Sequence, residues 1–275
     1  MEFKKIALAA VLTGSAAVMS FPAQAGWEIL DAWQMNLSGG NNNNIGHLIV
    51  GGGFSTVTQE LDAAGNVFIG AKFTNLGGLY SITYSSENVA GSGDFGPLSV
   101  LTNQIQYSFS GLAGTVTDVN PITGEISFSY TAGVGSITLQ ELGGPVIATF
   151  SVADPSGGEI GSFIGTADVS GTSNITAELL TETYANLFQD ISGKNMLPGE
   201  IRFALDTTNK YQAGSPLATA YSCDFSAAGL CADISLTQEG SVNALARTSD
   251  VPEPATLALL ALGILGMGTV TRRRS

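Results

Sequence analysis

The sequence predicts an all-β protein, built as an antiparallel β-sandwich or a jelly-roll-like domain. Glycine is abundant, with 35 residues in 275, against a usual share of roughly 7%, and it suits the positive-φ positions of tight turns. Short runs that alternate apolar and polar residues, such as Ser127-Phe128-Ser129-Tyr130, recur about every ten residues between turn-forming clusters. Chains of this kind stack or close their sheets to cover exposed strand edges.

The first 25 residues have the organisation of a secretory signal peptide. Lys4 and Lys5 form a basic start, an apolar run covers Ile6–Ser20, and Ala23-Gln24-Ala25 has the small-x-small pattern of a cleavage site. We therefore expect cleavage after Ala25 and an exported protein. This segment should not contribute to the fold.

Strand signals begin after this segment and form a regular series. The first is a predicted hairpin, in which His47–Val50 and Phe54–Leu61 lead into a turn at 62–66 and Val67–Phe73 is the partner strand. Further predicted strands are Leu79–Ser85, Ile105–Phe109, Gly114–Val119, Ile126–Tyr130, Gly135–Leu139 and Val146–Val152. The predicted turns are Gly77-Gly78, 91–93, 120–124, 143–145 and 154–158.

The segment 175–191 fits two interpretations. Its apolar residues fall on one face of a helix that Gly193 would end, but Ile175–Leu179 also alternates as a strand does. We expect a strand to about Thr183, followed by a loop or short helix over Tyr184–Ile191.

Cys223 and Cys231 are the only cysteines. In an exported protein, an even pair that flanks a turn predicts a disulfide bond. We place one all-β domain at 26–242, a linker at 243–250 and a separate C-terminal segment at 251–275.

The acidic composition restricts the classes of partner. The chain has 23 acidic and 10 basic residues; without two glutamates, two lysines and three arginines in the terminal segments, 21 and five remain, a net charge of about −16. Such a surface repels nucleic-acid phosphates and suits weak bridging by divalent cations. We therefore expect no nucleic-acid partner.

No catalytic motif is present, and we expect no catalytic residues. His47 is the sole histidine, and we interpret it as a histidine at the start of a strand. A glycosidase needs two carboxylates roughly 5–10 Å apart, and 21 acidic residues provide many such pairs by chance. Trp27 and Trp33 are the only tryptophans, which disfavours an aromatic-lined glycan cleft.

Asp118, Asn120 and Glu125 form a candidate weak calcium site around Gly124. Their oxygens alternate as in part of a calcium loop, although the EF-hand spacing is not met. The same residues also favour a hairpin turn, so both interpretations stay open. We expect no other cofactor.

Three features follow each other at the C-terminus. Val251-Pro252-Glu253-Pro254 precedes an uncharged, mostly apolar run, Ala255–Thr271, and Arg272-Arg273-Arg274 follows it. A helix of that run would be roughly 25 Å long, enough for a thin bilayer, and the arginines favour a cytoplasmic end. The sequence predicts a single transmembrane helix here.

This order of features resembles the C-terminal sorting signal of PEP-CTERM proteins. The resemblance implies export in a Gram-negative-type bacterium and transient anchoring in the inner membrane. It also implies removal of the tail by an exosortase and a final location at the cell surface or in the extracellular matrix.

Four further patterns carry a second resemblance: Ala71–Tyr80, Ile175–Met196 with Phe188-Gln189-Asp190, the Cys223/Cys231 pair, and Glu239–Val242. Together they resemble the flocculation-associated group of PEP-CTERM proteins. That resemblance implies a non-catalytic surface or matrix protein that holds cells and exopolysaccharide together in flocs or biofilm. The alternatives are a carbohydrate-binding module with one glycan site and, after it, a secreted polysaccharide hydrolase.

Overall fold

The computed structural model describes residues 26–38, 40–85, 98–99, 105–162, 164–166 and 169–247. Within these ranges all regular secondary structure is β, and no helix occurs. The strands are β1 (Trp27–Ile29), β2 (Trp33–Leu37), β3 (Gly40–Ile45), β4 (His47–Leu61), β5 (Lys72–Ser85), β6 (Leu98–Ser99), β7 (Ile105–Val119), β8 (Ile126–Tyr130), β9 (Ser136–Glu141), β10 (Val146–Ile160), β11 (Ser170–Glu182), β12 (Phe188–Asp190), β13 (Ile201–Tyr211), β14 (Tyr221–Ser222) and β15 (Leu230–Arg247).

The long strands form one antiparallel sheet that closes on itself. The strand β4 pairs with β5, and β5 pairs with β7. Both β8 and β9 lie between β7 and β10. From β10 the order continues with β11, β13 and β15. The ring closes because β15 pairs with β4. The predicted antiparallel all-β fold is therefore confirmed. The predicted two-sheet sandwich or jelly-roll is wrong, because the main sheet covers its edges by returning to its own first strand.

Two predicted turns lie within continuous strands. β5 runs through Gly77-Gly78 and β10 runs through 154–158, each with shifts of register. Gly77 is needed for packing rather than for a turn, since a Cβ there would come within 2.2 Å of the ring of Phe109, its cross-strand partner. The predicted turns at 120–124 and 143–145 are confirmed.

Three predicted elements have different boundaries in the structure. The first hairpin is confirmed, although its second strand begins at Lys72 rather than Val67. A strand ends at Glu182 as expected, and the first part of Tyr184–Ile191 is the expected loop. The rest contains the short strand β12, because β2 offers it a pairing edge. The strand β15 continues to Arg247, so 243–247 is not a linker.

Some predicted features fall outside the described residues. These are the signal peptide at 1–25, the turn at 91–93 and the C-terminal segment at 251–275 with its predicted transmembrane helix. In the part of the chain that is described, no helix has the length and apolar character needed to cross a membrane.

Alternation along the strands directs one set of side chains into the interior of the closed sheet. In β13, Ile201, Phe203 and Leu205 are buried, and the buried positions continue with Thr207 and Asn209. Successive side chains of a strand point to opposite faces, so these five residues share the interior. One half of the interior is therefore apolar, and the other half includes polar groups.

A small sheet in the order β12-β2-β3 packs against the apolar half. Trp33 is fully buried, and its ring lies 5.5 Å from that of Phe203. Phe203 also contacts Phe188 at 5.1 Å and Phe150 at 5.3 Å between ring centroids. Tilted and edge-to-face contacts of this kind add to the stability gained from burial. We call these four residues and their surroundings the aromatic end.

The opposite end carries the disulfide bond between Cys223 and Cys231, which confirms the predicted pair. The loop that the bond closes is tied to β4, because the Ser226 hydroxyl donates a hydrogen bond to the Leu61 carbonyl at 3.2 Å. We call this region the disulfide end.

Glu60 of β4 holds the same loop through its carboxylate. The Ala227 amide donates to Oε1 at 3.0 Å, the Ser226 hydroxyl donates to Oε1 at 3.3 Å, and the Lys72 amide donates to Oε2 at 2.9 Å. Burial alone would raise the pKa of Glu60, but these hydrogen bonds together outweigh it and hold the pKa below its ordinary value.

Candidate functional site

The outer surface of β11, β13, β15 and β4 is a polar face rich in hydroxyl, amide and carboxylate groups, which we call the hydroxyl face. These side chains point outward because their neighbours along each strand fill the interior. The members are Thr172 and Asn174 of β11, Asp206, Thr208 and Lys210 of β13, Asp233, Ser235, Thr237, Glu239 and Ser241 of β15, and Thr56 and Thr58 of β4.

Strand register arranges this face in rows. Thr172 lies directly across from Thr208, and Thr208 lies directly across from Glu239. Neighbouring strands are roughly 4.7–4.9 Å apart, so each row offers hydrogen-bonding groups at short, regular intervals. Such a surface can make many weak contacts to a polyhydroxylated polymer.

Asp206 occupies the middle of a second row, between Asn174 and Ser241. Desolvation raises the pKa of its carboxyl above the ordinary value. A carboxylate in this situation gains from a nearby cation, since the cation would offset the lost hydration. The row therefore combines glycan-type hydrogen bonding with a position where positive charge is favoured.

A cluster at the edge of the hydroxyl face combines an aromatic ring with polar groups. Asp233 Oδ1 accepts hydrogen bonds from the Tyr221 hydroxyl at 2.9 Å and from the Thr58 hydroxyl at 2.7 Å. Tyr221 is 40% exposed and lies two positions before Cys223. Partial burial, together with the hydrogen bond and charge of Asp233, raises the pKa of Tyr221. We call Tyr221, Asp233 and Thr58 the tyrosine cluster.

Sequence reasoning missed the tyrosine cluster and the hydroxyl face. Thr58 and Asp233 are 175 positions apart, and no local pattern shows that β4 and β15 are neighbours. The alternation of Thr56 with Thr58 and of Asp233 with Ser235 does indicate outward faces. It does not indicate which strands share a surface.

The tryptophans and the histidine lie within strands and are buried or half-buried. Trp33 is fully buried among aromatic rings at the aromatic end, so it cannot stack on a sugar. His47 is the first residue of β4 and is buried. Trp27, in β1, is half-buried.

The candidate calcium residues lie around a tight turn between β7 and β8. Asp118 and Glu125 are exposed, and Asn120 Oδ1 accepts hydrogen bonds from the Ile122 amide at 2.9 Å and the Thr123 amide at 3.2 Å. The turn thus uses one of the proposed ligand oxygens. Across the described residues, no three His, Cys, Asp or Glu side chains gather as a metal site would require, and calcium binding stays a prediction.

An apolar cavity and a polar cavity lie inside the closed sheet. The apolar cavity has a volume of about 50 Å³, and residues that line it include Leu48, Ile82, Tyr107, Phe150 and Phe203. The polar cavity has a volume of about 40 Å³, and the polar residues that line it are Gln59, Asn75, Tyr130, Asn209 and Gln238. Both are far smaller than the roughly 150 Å³ cavity that accepts benzene. Neither of these two cavities can hold a sugar ring.

The C-terminus of the chain is similar to a known protein family. Residues 250–274 match the family model described as the PEP-CTERM protein-sorting motif, which confirms the first resemblance. The motif implies an exported protein that an exosortase processes and that ends up at the cell surface. No curated protein and no solved structure matches the chain.

Proposed function

We propose that the protein is a non-catalytic component of the cell surface or extracellular matrix that binds exopolysaccharide and promotes cell aggregation, flocculation or biofilm formation. The hydroxyl face is the observation that supports this function most directly. It is an outer surface on four neighbouring strands, and apart from the exposed ring of Phe54 across from Thr237, the side chains named above are of the types that hydrogen-bond to glycans. The sorting motif supports the location.

The mechanism is adhesion through many weak contacts. A single exposed hydrogen bond contributes little, roughly 0.5–1.5 kcal/mol, but a polymer that lies across several rows makes many at once. Linked contacts raise the overall affinity because each bound segment keeps the next one at high local concentration. Many copies released at the cell surface would then hold cells and polymer together.

Divalent cations are the second part of the proposal. Carboxylates of the hydroxyl face, such as Asp206 and Glu239, would share cations with an anionic polymer, and Asp118 with Glu125 would add a weak calcium contact elsewhere. We expect chelation to weaken cell aggregation. Aggregation that is unchanged after chelation would remove the cation from the mechanism.

The test in the native host is deletion of the gene, scored for floc or biofilm cohesion. Complementation uses the full chain and a chain that lacks Ala255–Ser275. We expect cohesion to be lost on deletion and to be restored only by the full chain, because sorting places the protein at the surface. Unchanged cohesion after deletion would contradict the proposed function.

A second experiment tests the surface itself. Replacement of Thr172 and Thr208 by alanine removes two neighbouring hydroxyl groups of one row and leaves the interior intact. Two lost hydrogen bonds of roughly 0.7 kcal/mol each correspond to about a ten-fold loss of affinity for purified exopolysaccharide. The matched control replaces Thr117 and Ser110, which are exposed on β7 at the far side of the closed sheet. Equal affinity of both variants would rule out the hydroxyl face.

The tyrosine cluster favours a second candidate, a carbohydrate-binding module with one discrete site. An exposed aromatic ring beside a carboxylate and a hydroxyl can stack on a sugar and hydrogen-bond to its edge. Tyr221→Ala would then abolish binding to one glycan on an array, whereas Tyr221→Phe would keep the stacking. If Tyr221→Ala binds as the unchanged protein does, adhesion through the hydroxyl face is preferred. The hydrolase alternative has no specific observation in its favour among the described residues.

A further inference from the structure

The polar cavity contains buried groups whose hydrogen bonds are incomplete. Asn75 is 2% exposed; its Nδ2 donates to the Tyr130 hydroxyl at 3.2 Å, and its Oδ1 has no partner. Asn209 is 3% exposed; its Nδ2 donates to Ser173 Oγ at 3.1 Å, and its Oδ1 also has no partner. Among the described residues, the Tyr130 hydroxyl accepts from Asn75 and has no acceptor for its own hydrogen. Both amides and the phenol line the same cavity.

This imbalance does not depend on which way the amides are oriented. If the oxygen and nitrogen of Asn75 are exchanged, Tyr130 can donate to the oxygen, but the amide nitrogen then has no acceptor. The same holds for Asn209 and Ser173. Buried polar groups in folded proteins are almost always paired, so a partner for these groups has to come from inside the cavity.

The size and chemistry of the cavity limit what that partner can be. A volume of about 40 Å³ is far below the roughly 150 Å³ that accepts a benzene ring, so sugars and aromatic ligands are too large. No carboxylate lines the cavity, and an unpaired cation in such a place would lose its hydration without compensation. A cavity of roughly 10–15 Å³ or more can hold a water molecule if it offers two to four polar partners, and water can both donate and accept.

We propose that the polar cavity is a binding site for one or more ordered water molecules, which donate to the free amide oxygens of Asn75 and Asn209 and accept from Tyr130. Burial raises the pKa of Tyr130 to about 12, so the phenol keeps its hydrogen and remains a donor. The neighbouring apolar cavity has a similar volume, and Tyr107 is the one residue with a polar side-chain atom among those that line it, so we expect it to stay dry. The interior of the closed sheet is therefore hydrated in one half only.

The experiment counts long-lived internal waters in the purified protein by oxygen-17 relaxation dispersion. Asn75→Leu removes the amide and places a larger apolar side chain of the same branching in the cavity, and we expect the loss of at least one water. Tyr130→Phe removes one hydroxyl, and we expect a loss of at least one. The matched control is Tyr107→Phe, which changes a buried tyrosine of the apolar cavity and should leave the count unchanged.

An equal count in the unchanged protein and in both polar-cavity variants overturns the proposal, and so does an equal loss in Tyr107→Phe. If Asn75→Leu fails to fold, Tyr130→Phe and a high-resolution crystal structure of the unchanged protein decide. Ordered density between Asn75 and Asn209 with none in the apolar cavity supports the proposal, and an empty polar cavity overturns it. Neither outcome depends on whether the protein binds exopolysaccharide.

Discussion

The aromatic end and the disulfide end close the same sheet with different interactions. At the aromatic end, Trp33, Phe188 and Phe203 pack ring against ring and are almost completely buried. At the disulfide end, a covalent bond and the Glu60 carboxylate fix a loop to β4. Hydrophobic burial therefore dominates one end, and a cross-link with charge-assisted hydrogen bonds dominates the other.

This difference indicates that the aromatic end contributes mainly to stability and that the disulfide end leaves polar groups and an exposed tyrosine at the surface. Dense aromatic packing stabilises a domain but leaves little room for polar groups. The disulfide end has fewer large side chains in its interior and keeps Tyr221 exposed beside a polar outer face. We expect substitutions at the aromatic end to change stability most, and those at the disulfide end to change stability less and in ways that depend on redox state and pH.

The largest effect is expected for Phe203→Ala. Phe203 contacts Trp33, Phe150 and Phe188, so its removal leaves a cavity that these rings cannot fill, at a cost of about 3–5 kcal/mol. Urea denaturation followed by tryptophan fluorescence measures the loss. The matched control is Phe54→Ala, since Phe54 is 53% exposed and should lose less than about 1 kcal/mol. If both variants lost a similar amount of free energy of unfolding, burial at the aromatic end would not explain the effect of Phe203→Ala.

A smaller effect is expected when the disulfide bond is removed. Double substitution of Cys223 and Cys231 by alanine should cost about 2 kcal/mol, because the closed loop is short and the entropy restored to the unfolded chain is modest. Reductant should destabilise the unchanged protein by a similar amount and leave the double variant unaffected. If reductant destabilises both proteins equally, the effect does not come from this bond.

The sequence predicted local elements better than their arrangement. Alternation and turn residues located most strands, and an even cysteine pair was enough to predict the disulfide bond. Gly77 was wrongly interpreted as a turn residue. Its lack of a side chain leaves room for the Phe109 ring, and Phe109 is a cross-strand partner 32 positions later in the sequence. Closure through β15 and β4 joins strands from opposite halves of the chain, and no local pattern encodes it.

The candidate site depends on that same long-range pairing. The two tryptophans were too few to favour an aromatic-lined glycan cleft, and the structure buries Trp33 in the core. Conversely, Thr208 looks like an ordinary strand residue in the sequence. It becomes part of a candidate glycan-binding row only because Thr172 and Glu239 lie on either side of it. The sorting motif could be predicted completely, because it consists of contiguous residues whose order carries the signal.

Glu60 should make the stability of the disulfide end depend on pH. Its folded-state pKa lies below the unfolded value of 4.5, so its stabilising contribution is complete above that value and is lost as the pH falls through the folded pKa. Glu60→Gln should therefore cost about 1–2 kcal/mol near pH 7 and should lose less on acidification. Urea denaturation of both proteins at several pH values measures this.

The control for this pH dependence is Glu239→Gln, which changes an exposed carboxylate of the hydroxyl face and should leave the pH profile almost unchanged. A Glu60→Gln variant that becomes less stable on acidification to the same extent as the unchanged protein would contradict the assigned role. It would also indicate that another group at the disulfide end carries the pH dependence.

The smallest effect is expected for the one ion pair found among the described residues. Arg202 and Glu178 lie 2.8 Å apart on the outside of β13 and β11, near the aromatic end, and remain partly exposed. Exposed ion pairs contribute roughly 0–1 kcal/mol, so Glu178→Gln should change the free energy of unfolding by less than about 1 kcal/mol, and added salt should reduce the difference further. A loss as large as that of Glu60→Gln would mean that charge stabilises both ends alike. A small, salt-sensitive loss would leave charge important only at the disulfide end, where a carboxylate is enclosed by three hydrogen-bond donors.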